Sequence, residues 1–115
     1  MIQTGRTTPT VVNVSVEEKT KTVMSAVVVY NTSTCAEITP GSWTINTKPK
    51  HGTDTLAPYK FKLTTGSCAG HKYTGAGIFY TSTGPASAAR RDVTVATWTG
   101  GGFTQFDKFV IRITP

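Results

Sequence analysis

The chain has 115 residues, 37% of them apolar and 16% charged, a length that suits one domain and does not accommodate a second independent one. Threonine supplies about a fifth of it, and a β-branched side chain, stiff at χ1, favours strands and argues against an all-α fold, while the apolar content argues against disorder. Twelve Lys and Arg against six Asp and Glu leave a formal charge of +6, which bears on solubility and partners rather than on fold.

In chain order, residues 1–9 read as a flexible leader, and residues 10–115 as a single domain. The start, Met1 to Arg6, lacks the apolar core of a signal peptide, so an exported protein would have lost its signal and gained Met1 for expression. Val12, Val14 and Val16 alternate with Asn13 and Ser15, the period of two that marks a half-buried strand. Val23 to Tyr30 is apolar on both faces; periodicity alone leaves a buried helix segment open, and its β-branched content favours a central strand. Pro40-Gly41-Ser42 predicts a turn, Trp43, Ile45 and Thr47 share a face, Pro49 ends the segment, and His51-Gly52-Thr53 turns again. Tyr59, Phe61 and Leu63 then alternate with Lys60, Lys62 and Thr64, which predicts an aromatic core face and a basic wet face.

Residues 65–70 read as a loop, and Ile78 to Tyr80 as a strand that Gly75 and Gly77 allow to bulge or bend. Gly84 to Ala89 has linker chemistry, although the alanines between Pro85 and Arg91 also suit a helical turn. Val93, Val95 and Thr97 alternate, Gly100 to Gly102 turns the chain, and Phe109, Ile111 and Ile113 close it. About seven short strands without a helix-length periodic segment predict an antiparallel sandwich or barrel.

Two cysteines without Cys-x-x-Cys spacing, Cys35 and Cys68, read most simply as one disulfide and hence an oxidising compartment; the alternative is two reduced, buried thiols. No apolar run approaches the ~20 residues of a membrane-spanning helix.

Lys48-Pro49-Lys50-His51-Gly52-Thr53 resembles the Pro-x-His-Gly-Thr turn of bacterial extracellular immunoglobulin-like domains, and Gly102-Phe103-Thr104-Gln105-Phe106-Asp107-Lys108-Phe109 resembles their Gly-Phe-x-Gly-x-Asp-x-Phe strand start, with Gln105 at the glycine position. Cys35 and Cys68 are placed similarly to the cysteine pair of secreted members, and the resemblance runs from about Val23 to Thr114. It implies an immunoglobulin-like β-sandwich at a cell surface or in a periplasm, acting as a spacer, an adhesin unit or a binding module. It brings no catalytic residue.

The chemistry-bearing residues are few. Cys35, His51, Cys68 and His71 form a possible zinc ligand set, but the fifteen residues between Cys35 and His51 are not the tight second pair that a structural site needs. The six carboxylates form no recognisable pair, neither a catalytic couple nor a calcium cluster, so no enzyme, metal or cofactor is expected. Lys48, Lys50, Lys60, Lys62 and Lys72 concentrate basic charge in mid-chain, a candidate surface for an anionic glycan or an acidic protein. Nucleic acid is disfavoured, because Tyr59 and Phe61 are expected on the opposite, core face. Trp43, between the cysteines in sequence, is expected to pack on the disulfide. Trp98, beside a glycine turn, is the candidate exposed binding aromatic.

The expectation is therefore an all-β, immunoglobulin-like antiparallel sandwich of about seven strands with one Cys35–Cys68 disulfide, exported, and serving as a non-enzymatic binding or structural module. The alternative is a small secreted inhibitor of a host or competitor enzyme that presents the Ser67–Tyr73 loop, since a rigid loop loses little entropy on docking.

Overall fold

The computed structural model describes residues 10–84 and 91–115. The expected leader over residues 1–9 and the expected linker or helical turn over 85–90 lie outside the described residues. The fold is all-β, with strands β1 (Thr10–Glu17), β2 (Thr22–Val27), β3 (Val29–Tyr30), β4 (Glu37–Thr39), β5 (Ser42–Thr47), β6 (Gly52–Lys62), β7 (Lys72–Ser82), β8 (Arg91–Gly100) and β9 (Phe103–Thr114). A four-stranded sheet has the order β1-β9-β8-β5, a three-stranded sheet the order β2-β7-β6, and β3 pairs with β4. Strand β1 runs parallel to β9, and the other pairings are antiparallel.

The two larger sheets share one core. Val16, Trp43, Ala96, Trp98, Phe109, Ile111 and Ile113 come from the four-stranded sheet, and Met24, Val27, Ile78 and Tyr80 from the three-stranded one. The Trp43 indole N–H donates to the Ala76 carbonyl at 3.0 Å, which satisfies the polar end of a buried ring across the gap between the sheets. The period of two read for β1 and β9 holds, with Val12, Val14 and Val16 inward and Phe109, Ile111 and Ile113 buried.

Several expectations are corrected. Val23 to Tyr30 is not one central strand: β2 lies at an edge of its sheet, a bulge falls between Val23 and Ser25, and the chain leaves the sheet before β3. Its uniformly apolar character comes from burial on both sides at that edge. Strand β6 starts at Gly52, well before the residues read as a strand, and runs through Pro58, which lacks a backbone donor and is tolerated because β6 is an edge strand. Gly75 and Gly77 produce no bulge against β6, whose register with β7 is unbroken from Gly52↔Ser82 to Lys62↔Lys72. They leave space instead, since a Cβ on Gly75 would meet the Phe61 ring and one on Gly77 would meet Phe79 and Tyr59. In β8 the residues turned inward are Thr94, Ala96 and Trp98, and the alternating Val93, Val95 and Thr97 are the half-exposed set.

Cys35 and Cys68 are joined. The bond links the β3–β4 turn to the β6–β7 loop, not one sheet to the other, and the core cluster that holds Trp43 does not contain Cys68. Trp43 therefore does not use the disulfide as its packing partner; its ring lies 5.8 Å from that of Phe109.

Candidate functional site

The β6–β7 hairpin ends in a basic concavity. Lys62 lies directly opposite Lys72, and Lys60 opposite Thr74, all exposed and all on one side of the two-stranded ladder. With Phe61 and Tyr73 they line a depression of about 580 Å³. Among the described residues no carboxylate lines it, so three ammonium groups act on the same volume. Like charges directly opposite on a sheet destabilise it by up to about 1 kcal/mol, and the Lys62–Lys72 pair is kept without relief from a lining acid.

The faces of this hairpin are the reverse of those expected. Asp54, on the lysine side of β6, reaches Thr94 in the other sheet, and Tyr80, on the same side of β7, reaches Asp92. The lysine side is thus the inner side of the three-stranded sheet, carried past the point where the opposite sheet covers it. Tyr59, Phe61 and Phe79 lie on the outer side, half-buried, with the Tyr59 and Phe61 rings 6.5 Å apart and nearly parallel and the Tyr59 and Phe79 rings 6.0 Å apart. Lys21 caps this row, its Nζ 4.7 Å from the Phe79 centroid. Alternation reports which side is wetter; it does not report on which side a second sheet lies.

The disulfide braces the loop that joins the two lysine-bearing strands. Leu63 N–H donates to His71 O, Gly70 N–H to Leu63 O and His71 N–H to Cys68 O. Tyr73 Oη donates to the Cys35 carbonyl at 2.7 Å, and Ser67 Oγ to that of Thr32 at 3.3 Å. Cys68 is itself buried. The lysines therefore project from a base held by covalent and hydrogen bonds.

Lys48 and Lys50 do not join this group. They line a separate depression of about 260 Å³ with His51, Arg91 and Asp92, at the other end of β6. Ten residues of nearly extended chain, roughly 30 Å, separate Lys50 from Lys60, so the five lysines adjacent in sequence form two sites. Trp98 belongs to neither. It is fully buried, its N–H donates to the Pro40 carbonyl at 2.9 Å, and Gly41, at φ 64°, lies against the ring where a Cβ would overlap it. Its position beside a glycine turn reflects the space a large buried ring needs, and the expectation of an exposed binding aromatic is corrected.

At the Lys48–Lys50 end, Asp92 organises the turn that resembles Pro-x-His-Gly-Thr. Its carboxylate accepts from Lys50 N–H, His51 N–H and Val93 N–H, each at 2.9 Å, and from Tyr80 Oη at 2.8 Å. Gly52 lies on the Tyr80 ring, where a Cβ would collide with it. Burial raises the Asp92 pKa, but these four donors outweigh it and hold the carboxyl below its ordinary range. Each oxygen accepts two of these bonds, so the carboxylate ties the turn to β7 and β8.

Asp54, opposite Tyr80 on β6, is held differently. One oxygen accepts from Thr94 Oγ1 at 2.9 Å, and the other is buried without a hydrogen-bond partner among the described residues. Burial, aided by the charge of Asp92 and opposed by the Thr94 bond, pushes this carboxyl up from 3.8 to about 6. The folded state thus binds the proton more tightly than the unfolded chain does. The associated stability is fully present below pH 3.8 and is lost as pH rises through about 6. Asp54→Asn is expected to raise unfolding free energy near neutral pH by about 1 kcal/mol, a value reduced for the partial exposure of the group, and to change little near pH 4. Urea titrations at the two pH values check this, and an equal effect at both would contradict it.

The thiols that would complete a zinc set are joined to each other, and among the described residues no group of three or more His, Cys, Asp and Glu comes together. Sequence reasoning missed an apolar seam of about 300 Å³ between β5 and β6, lined by Trp43, Leu56, Pro58, Thr74 and Ala76 among others. It forms where the edge strand β5 of one sheet faces β6 and β7 of the other, a juxtaposition that no local sequence pattern encodes. No family model, curated protein or solved structure matches the chain.

Proposed function

We propose that the chain is a non-enzymatic extracellular or periplasmic binding module, an immunoglobulin-like sandwich that holds an anionic glycan at the end of its β6–β7 hairpin. The observation that carries the functional half is the convergence of Lys60, Lys62 and Lys72 on one depression without a lining acid. A cluster of one sign on a rigid base raises the local concentration of a polyanion and needs no catalytic group. In support of the fold, the order β2-β7-β6 beside β9-β8-β5 matches the B-E-D and G-F-C order of immunoglobulin sandwiches, although the disulfide ties loops instead of sheets. The disulfide favours an oxidising compartment.

Heparin serves as the probe. The unmodified protein is expected to bind it with an affinity that falls as salt rises, as screening requires. At about 0.5–1 kcal/mol for each exposed ion pair, the triple Lys60→Gln, Lys62→Gln, Lys72→Gln variant is expected to lose roughly ten- to hundredfold in affinity. The Lys48→Gln, Lys50→Gln pair is expected to lose much less. Equal losses from the two sets, or binding that ignores salt, would overturn the assignment.

The alternative of a secreted enzyme inhibitor is favoured by one observation, the bracing of the Ser67–Tyr73 loop by the disulfide and its backbone hydrogen bonds. In that case a target enzyme would be blocked by a Lys60→Gln, Lys62→Gln variant, whose changes lie in β6 and leave the Ser67–Tyr73 loop intact, as well as by the parent.

A further inference from the structure

The apolar seam and the lysine depression are two ends of one surface. Thr74 lines both, and Lys60, opposite Thr74, is two residues along β6 from Pro58, which lines the seam opposite Ala76. From Leu56 to Lys62 the inner side of β6 therefore changes from carbon to ammonium over about 20 Å. The seam offers little to a polar guest. Trp43 has already given its N–H to Ala76 O and presents ring carbon. Leu56 is 45% exposed, although Ile78, its cross-strand partner, is fully buried. A large aliphatic side chain is thus left in water at the mouth of a cleft whose volume falls within the range of small-molecule sites, ~300–1,000 Å³.

We propose that this surface binds a single-chain anionic amphiphile, a fatty-acyl carboxylate, with its hydrocarbon in the seam between β5 and β6 and its carboxylate among Lys60, Lys62 and Lys72. The proposal rests on the reading of the hairpin end as an anion site and adds the apolar half of the ligand. Two features select an acyl chain over an added peptide strand. Pro58 removes a backbone donor from the middle of the β6 edge, where a peptide would pair, and the exposed lysines at the end of that edge guard it against strand addition. Charge complementarity selects the head group, since no acid lines the depression.

Calorimetric titration of the full chain with octanoate, decanoate and dodecanoate, below their micellar concentrations, tests the proposal. Affinity is expected to rise about three- to fourfold per added methylene, as burial of hydrocarbon requires. The Lys60→Gln, Lys62→Gln, Lys72→Gln variant is expected to weaken all three ligands by a similar factor. Leu56→Gln, a change at an exposed position, is expected to flatten the chain-length dependence while leaving heparin binding intact. If heparin binds and dodecanoate does not at millimolar concentration, the amphiphile is refuted and the anion site stands; if neither binds, both fail. A chain-length dependence untouched by Leu56→Gln would place the hydrocarbon elsewhere and overturn the proposal. So would an acidic, valine-rich peptide that displaces dodecanoate with higher affinity, or a dimer of the chain that Leu56→Gln dissociates.

Discussion

Asp92→Ala is expected to lower the unfolding free energy at neutral pH by about 3–4 kcal/mol, since it strips four donors of one buried acceptor. The Lys50 and His51 amides lie in the segment between β5 and β6, the Val93 amide in β8, and the Tyr80 hydroxyl on β7, so one carboxylate joins both large sheets to the turn between them. An amide is a poor substitute. Each carboxylate oxygen receives two of the four bonds, and the NH2 group of an asparagine would turn a donor toward two donors. Asp92→Asn is therefore expected to cost nearly as much as Asp92→Ala. The sign of the pH dependence is opposite to that of Asp54: the Asp92 pKa is lowered by folding, so its contribution is present above the ordinary carboxyl pKa and is lost as pH falls through the folded value. Urea unfolding of parent and variants at neutral and acid pH measures both effects. A loss below about 1 kcal/mol at neutral pH, the value of a single ordinary hydrogen bond, would show that the turn does not depend on this group.

Removing the disulfide is the second large effect. Cys35 and Cys68 are 33 residues apart, for which the chain-entropy estimate is about 3.7 kcal/mol at room temperature. A Cys35→Ser, Cys68→Ser variant is expected to show that loss in guanidinium unfolding. The bond joins loops at one end, beyond the shared core. The variant is accordingly expected to keep a β-type circular dichroism spectrum at low temperature, with its hydrogen-exchange protection reduced first in residues 63–71, around the bonds now made by Leu63, Gly70 and His71. Uniform loss of protection across β8 and β9 would mean that the cross-link supports the core directly.

The sequence reading succeeded where one physical signal decided the answer. Alternation in Val12 to Val16 and Phe109 to Ile113 placed β1 and β9 and their buried sides, and the cysteine spacing identified a pair that is in fact bonded. It failed where the answer depended on what lies across a gap. Tyr59 and Phe61 carry the stronger apolar signal in β6, yet their glycine-floored outer side accommodates them, and Asp54 and Leu56 face inward. Trp98 resembled an exposed aromatic because the glycines near it were read as a flexible turn, when Gly41 and Gly100 are small so that the ring can be enclosed. The lysines of the candidate site were legible as residue types. Their division into two groups was not, because it follows from the full length of β6, whose first residues, Gly52 to Pro58, carry a half-buried carboxylate and a proline that disguise a strand.

The central claim is that a polyanion binds at the end of the β6–β7 hairpin. Amide chemical shifts of the isotope-labelled chain, followed during titration with a short heparin oligosaccharide, test it most directly. The account predicts shifts concentrated in Lys60–Lys62 and Lys72–Thr74 and reversed by added salt, with Lys48, Lys50 and Arg91 little affected. Shifts centred on Lys48, Lys50, His51 and Arg91, or no shifts at low salt, would contradict it.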